Sequence, residues 1–226
     1  MTAISPHLSA ASYPSTDGEP GAETFGHLYA MLITLELLRQ YLAGQQATVL
    51  SNQFLYYAQG FPKLRVAPDV MVIFEVEPGG RDNYKIWEEG QTPAVIFEMT
   101  SAGTQEQDQS YKKTLYAQLE VEEYWLFDPK GEWIPEQLRG DRLQGEDYVP
   151  ITDSISQRLN LRLAVEESLI GFYRLDTGEK LLIPDELSAA LTESTAQLTS
   201  ERQRREELEA ELARYRQQFG DLPTDS

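Results

Sequence analysis

Residues 94 to 104 read AVIFEMTSAGT, an apolar run interrupted by Glu98, and residues 66 to 74 read VAPDVMVIF, with Asp69 set in the same manner. A carboxylate among apolar neighbours is strongly disfavoured unless something pairs it. In an alternating strand Asp69, Met71 and Ile73 share one face, and in the other strand Ala94, Ile96, Glu98 and Thr100 share one. If the two strands pair in suitable register, the carboxylates converge. Like charges at short range repel unless a cation lies between them, and a divalent metal is the simplest cation to supply.

A lysine is the third group of interest. The segment from about Thr104 to Glu120 reads as a helix. With Tyr111 as origin and about 100 degrees per residue, Leu115, Leu119 and Tyr116 define an inward sector. Lys112 and Asp108 fall inside that sector, whereas Lys113 falls outside it, toward water. Lys112 is therefore placed to meet an inward acid of the preceding strand. The alternative is an aliphatic stem lying on the core with its ammonium snorkelling out.

The elements that must position these groups follow from the pattern along the chain. The stretch AETFGHLYAMLITLELLRQYLAG carries Phe25, Leu28, Leu32, Leu35, Leu38 and Leu42 at steps of three and four, which predicts an amphipathic helix with that face buried and Gly44 as its stop. ATVLSNQFLYY, LRVAPDVMVIFEV, PAVIFEMT and EYWLFDP are short strand-like runs separated by Gly and Pro. A strand, the helix bearing Lys112 and a further strand make a crossover unit, and the shorter runs before it read as hairpins. Tyr124, Trp125 and Phe127 read as core of a central strand, Glu122 and Glu123 as caps of its start, and Asp128-Pro129 as its end. Asp82, Glu88 and Glu89 read as solvated, and further strand-like pieces lie around Trp133, at 148–151 and at 171–182. The fold class is α/β: a mixed sheet flanked by helices.

From Leu187 the pattern changes. Leu187, Leu191, Ser194, Leu198, Glu201, Arg205, Leu208, Leu212, Tyr215 and Phe219 recur in steps of four and three, the seam of a coiled coil with a polar middle. This predicts a long C-terminal helix, either pairing two chains as a homodimer or standing solvated by itself. The organisation is an N-terminal arm over 1–21, a globular domain over 22–183 and a helical tail over 184–226.

Composition narrows the function classes. The chain of 226 residues is 41% hydrophobic and has no cysteine, which removes thiolate zinc sites, disulfides and a cysteine nucleophile. Its two histidines, His7 and His27, are too few for a histidine metal cage, and His27 reads as a helix-face residue and not a ligand. No apolar run is long enough to span a bilayer, and no signal-peptide pattern opens the chain, so a soluble, cytoplasmic protein without membrane contact is expected. The net charge is −18; ten acidic and five basic residues from Asp185 onward give the tail −5 and leave −13 for the body. Such a surface opposes tight non-specific binding of nucleic acid, but it suits a metal site built from carboxylates.

Pro68-Asp69, VIFEMTS over 95–101, Asp108, Lys112, Tyr116 and the block VEEYWLFDP together resemble the Uma-type (Uma-two) family of restriction endonucleases, within the PD-(D/E)XK nuclease superfamily. The resemblance covers roughly residues 20 to 180. It implies a restriction-endonuclease-like sheet, a divalent-metal site binding Mg2+ or Mn2+, and DNA as the partner hydrolysed. Asp69 matches the aspartate of the PD element and Glu98 the acid of the next strand, and these two would ligate the metal. The superfamily pattern wants a lysine two residues after that acid, where this chain has Thr100. Lys112, on the following helix, matches the displaced lysine. Glu23, in the first turn of the N-terminal helix, is either a further acid of the site or ordinary stabilisation of a helix dipole. The competing expectation is an idle or weak nuclease fold that acts as an interaction module through its C-terminal helix.

Overall fold

The computed structural model describes residues 11–15, 24–101 and 107–220, of which 107–109 and 219 are described for backbone alone. In chain order the elements are α1 (Phe25–Tyr41), β1 (Ala47–Leu50), β2 (Leu55–Tyr56), β3 (Arg65–Val66), β4 (Val70–Phe74), β5 (Tyr84–Lys85), α2 (Ile86–Glu89) and β6 (Val95–Met99). A π-helical turn at Gln107–Lys112 then runs into α3 (Lys113–Gln118). There follow β7 (Glu123–Phe127), β8 (Leu138–Gln144), β9 (Asp147–Ile151), β10 (Ile155–Ser156), β11 (Leu161–Glu166), β12 (Leu169–Arg174) and α4 (Pro184–Phe219).

Six strands form the main sheet in the order β1-β4-β6-β7-β8-β9. All its neighbours are antiparallel except β6 and β7, which run parallel because the segment carrying Lys112 crosses between them. The expected mixed α/β sheet with a crossover unit and a long C-terminal helix is what the chain forms. One face of the sheet, bearing Met71, Ile73, Ile96, Tyr124 and Leu126, packs with Tyr116 of α3 and with Leu55 and Tyr84 of the small sheet β3-β2-β5. On the opposite face Phe97 stacks on Trp125 and meets Phe172 of β12 edge-on, and α1 packs there against β6 and β12. Gly140 has a steric reason: a Cβ there would lie 2.5 Å from the Trp125 ring on the neighbouring strand.

Several expectations need correction. The buried face of α1 is not the one through Phe25, Leu28 and Leu32, all of which are exposed; it runs through His27, Ala30, Met31, Thr34, Leu37 and Leu38. Most positions of α1 are apolar, so a three-four count fits more than one phase, and packing on the sheet decides between them. Trp133 lies in a loop, while β8, β10 and β11 arise from stretches without strong strand character. Glu123 is no surface cap: it is 1% exposed and accepts hydrogen bonds from Trp125 Nε1, Ser156 Oγ and the backbone N–H of Gln157. Within the expected N-terminal arm, residues 11–15 are docked. Tyr13 packs against Tyr56 and Trp87, and Tyr56 donates to the Pro14 carbonyl.

The chain divides into two compact units, one up to Leu181 and one from Leu182. The second is dominated by α4, which starts at Pro184 with the Ile183 N–H donating to Glu186 Oε2 at 3.1 Å. Among the described residues no helix is long and apolar enough to cross a membrane.

Candidate active site

Glu98 lies one residue from the C-terminal end of β6, and its alternation with Ile96 turns it toward the crossover segment. It is 1% exposed. Two side chains one helical turn apart meet it there: Lys112 Nζ lies 3.0 Å from Oε2, and the Tyr116 hydroxyl donates to Oε1 at 2.6 Å. Tyr116 is fully buried and is held edge-on by Tyr124 at 5.2 Å. The acid among apolar residues is thus satisfied by one ammonium and one phenol, a charge-assisted arrangement.

Asp69 precedes β4 at a bend, next to the buried Pro68. Val70 pairs with Phe97 and Met71 with Ile96, so one further step of the same register sets Asp69 across from Glu98. Its Oδ2 accepts from the Met99 N–H at 2.6 Å and lies 3.4 Å from His27 Nε2. Among the described residues both contacts fall on Oδ2, which leaves Oδ1 available. His27 corrects the expectation of a mere helix-face residue: it is buried in the first turn of α1, where Thr24 Oγ1 caps its N–H. Its signal in the sequence was a lone histidine at the start of an apolar helix, which alone does not distinguish a core residue from a site residue.

Helix α1 begins at Phe25 with Thr24 as N-cap, so Glu23 falls before the cap and outside the described residues. The side chain of Asp108 also lies outside them. Thr100, two residues after Glu98, is buried; its N–H donates to the Phe127 carbonyl at 2.6 Å. Its hydroxyl makes no hydrogen bond among the described residues.

The helical wheel placed Lys112 inward, where it reaches Glu98, but it misplaced two neighbours. Tyr111 is 59% exposed instead of inward, and Lys113 is not solvated, for its Nζ lies 2.8 Å from Oδ2 of the buried Asp141 on β8. The π-helical turn explains both errors: its i→i+5 bonding breaks the uniform 100-degree step on which the wheel rests. Tyr111 hydrogen-bonds Tyr57, whose phenol is pushed up to about 12, chiefly by burial and further by that bond. Burial pushes the Tyr148 phenol up as well, with the Asp141 carboxylate adding to the shift.

These donors match a hard divalent cation in kind. Asp69 and Glu98 supply carboxylate oxygens, the ligand type that such a cation takes, and among the described residues the contacts of Asp69 fall on Oδ2 alone. The Thr100 hydroxyl is a buried oxygen with unused capacity on the Glu98 side of its strand. No group of three or more His, Asp or Glu residues converges among the described residues.

No curated protein matches the chain. A solved structure from Anabaena variabilis ATCC 29413, described as "a putative nuclease belonging to DUF820", is similar over 74% of this chain and 86% of its own, at 12% identity and a TM-score of 0.45. The Uma2 family, described as "Putative restriction endonuclease", matches residues 19–169. That span is well over half of the sequence and contains Asp69, Glu98 and Lys112, and the chain belongs to the Uma2 family.

Proposed function

We propose that this protein is a metal-dependent endonuclease that hydrolyses phosphodiester bonds in DNA. The observation that supports the reading is the buried Glu98 bound by Lys112 and Tyr116, with Asp69 across from it in register and one carboxylate oxygen open. In this reading Asp69 and Glu98 would hold Mg2+ or Mn2+, which would supply polarisation of the scissile phosphate and a lowered pKa for water. The Met99 N–H and His27 fix the orientation of Asp69. Lys112, anchored on Glu98, holds an ammonium where negative charge grows on the phosphate, or orients the attacking water. The open groove of about 1040 Å3 beside Lys113 is a poor phosphate track, because Glu120, Glu146 and Asp147 line it.

The second reading, a weak or idle nuclease fold that acts through α4, is favoured by the apolar row that α4 exposes. Cleavage of mixed DNA substrates with Mg2+ or Mn2+, comparing wild type with Asp69→Ala, decides between them. The nuclease reading expects cleavage that Asp69→Ala removes, together with calorimetric Mn2+ binding that Asp69→Asn and Glu98→Gln abolish. Wild-type protein that binds no Mn2+ and cuts nothing would leave the second reading standing.

A further inference from the structure

Helix α4 is a single uninterrupted helix of 36 residues, and its seam residues Leu187, Leu191, Leu198, Leu208, Leu212 and Tyr215 are all exposed. Leu191 and Leu198 are 67% and 64% open to solvent, which is unusual for leucines aligned along one stripe. The polar centre of that stripe says what covers it. Glu201 and Arg205 occupy adjacent seam positions, and the stripe is symmetric about a point midway between them.

We infer that α4 pairs with α4 of a second copy of this chain, antiparallel, about a two-fold axis at Gln203. In that register Glu201 of each helix faces Arg205 of the other, and Leu198 faces Leu208. Ser194 then meets Leu212, Leu191 meets Tyr215, and Leu187 meets the Phe219 position. Every layer joins an a position to a d position, as an antiparallel coiled coil requires. The parallel alternative stacks Glu201 on Glu201 and Arg205 on Arg205, two like-charge layers in succession in the middle of the seam. The charges therefore select orientation, while the leucines on either side supply the buried surface. Arg205 currently reaches Glu209 of its own helix at 3.5 Å, with both side chains largely exposed. That weak surface contact leaves the guanidinium able to turn to a partner carboxylate. Arg202 remains with Glu206 at 3.0 Å. The interface is isologous and closes as a dimer, so it adds no route to open assembly.

The test uses the full-length protein, which has no native cysteine to interfere with labelling. Sedimentation should show a concentration-dependent dimer. Glu201→Arg should weaken it on the order of tenfold or more, because each central layer becomes arginine against arginine. The double variant Glu201→Arg/Arg205→Glu, which restores opposite charges across the seam only if the helices are antiparallel, should recover it. Spin labels at Ala189→Cys should lie about 42 Å apart along the axis in the antiparallel dimer, against side-by-side separation in a parallel one. A monomer at all concentrations, a short label distance, or a double variant no better than the single one each overturns the inference.

Discussion

The two neighbouring lysines allow a quantitative test of how the crossover segment is seated. Lys112 reaches Glu98 on β6, and Lys113 reaches Asp141 on β8, with β7 between them. The two acids thus stand two strand spacings apart and two residues offset along the strands, roughly 12 Å, on the sheet face that α3 covers. Lys112→Met leaves Glu98 still hydrogen-bonded to Tyr116, so the unfolding free energy should fall by roughly 2 kcal/mol. Lys113→Met strands Asp141 more completely. Lys113 touches it as a charge contact off the hydrogen-bonding direction, and no described donor hydrogen-bonds either of its oxygens. Removing one partner of a buried pair costs about 3–5 kcal/mol, and the lower end applies because the Lys113 side chain is 30% exposed. At about 2–4 °C per kcal/mol for a domain of this size, Tm should drop by roughly 6–12 °C. Urea unfolding of wild type, both single variants and Lys113→Met/Asp141→Leu forms the assay, and the double variant should regain most of the loss. Cleavage, measured where all variants are folded, should follow the opposite order, with Lys112→Met inactive and Lys113→Met active. Lys113→Met within about 0.5 kcal/mol of wild type would refute the buried pair and return Lys113 to solvent.

Two further outcomes follow from individual contacts. Tyr116→Phe deletes the donor to Glu98 Oε1 without creating a cavity, and should reduce Mn2+ affinity by about 10- to 100-fold in calorimetry; unchanged affinity would show that Glu98 needs no phenol to orient it. Glu166 is pushed up by burial, but Lys180, the Tyr173 hydroxyl and Arg162 more than offset this and hold its carboxyl below the ordinary value. A depressed folded-state pKa adds stability above the unfolded pKa and loses it as pH falls through the folded one. Glu166→Gln should therefore lower the urea midpoint at pH 7 and converge on wild type as pH falls through the depressed folded-state pKa, whereas a deficit constant with pH would assign the effect to packing.

What the sequence made legible was contrast, and what it concealed was phase. Asp69 and Glu98 stand out because each is an acid inside an apolar run, and the register of β4 and β6 sets them opposite one another. Glu123 and Asp141 are equally buried, yet they lie in VEEYW and LRGDRLQ, where charged neighbours hide them. The buried face of α1 was misread because apolar residues surround that helix, and Tyr111 and Lys113 were misread because a π turn interrupts the regular step. The four-three repeat of α4 had no such interruption; it forms one continuous helix. His27 and the Tyr116 hydroxyl were missed as partners of the two acids because each is reached only through tertiary packing, from helices on opposite faces of the sheet.

The placement of the lysine gives the proposed site its logic. Position 100 shares a strand face with Glu98 and is nearly inaccessible, so an ammonium there would be buried beside the one that Lys112 already supplies. One carboxylate cannot neutralise both, and a small neutral threonine is the compatible residue once the charge comes from the helix. Delivery from a helix couples the charge to how that helix is seated, which a lysine on the strand itself would avoid. The π turn directs consecutive residues, Lys112 and Lys113, toward acids on separate strands, and Tyr116 one turn later closes on the same carboxylate as Lys112. Glu98 therefore faces a lysine delivered from the crossover segment, and the next residue, Lys113, holds that segment to Asp141 on β8 without touching either carboxylate.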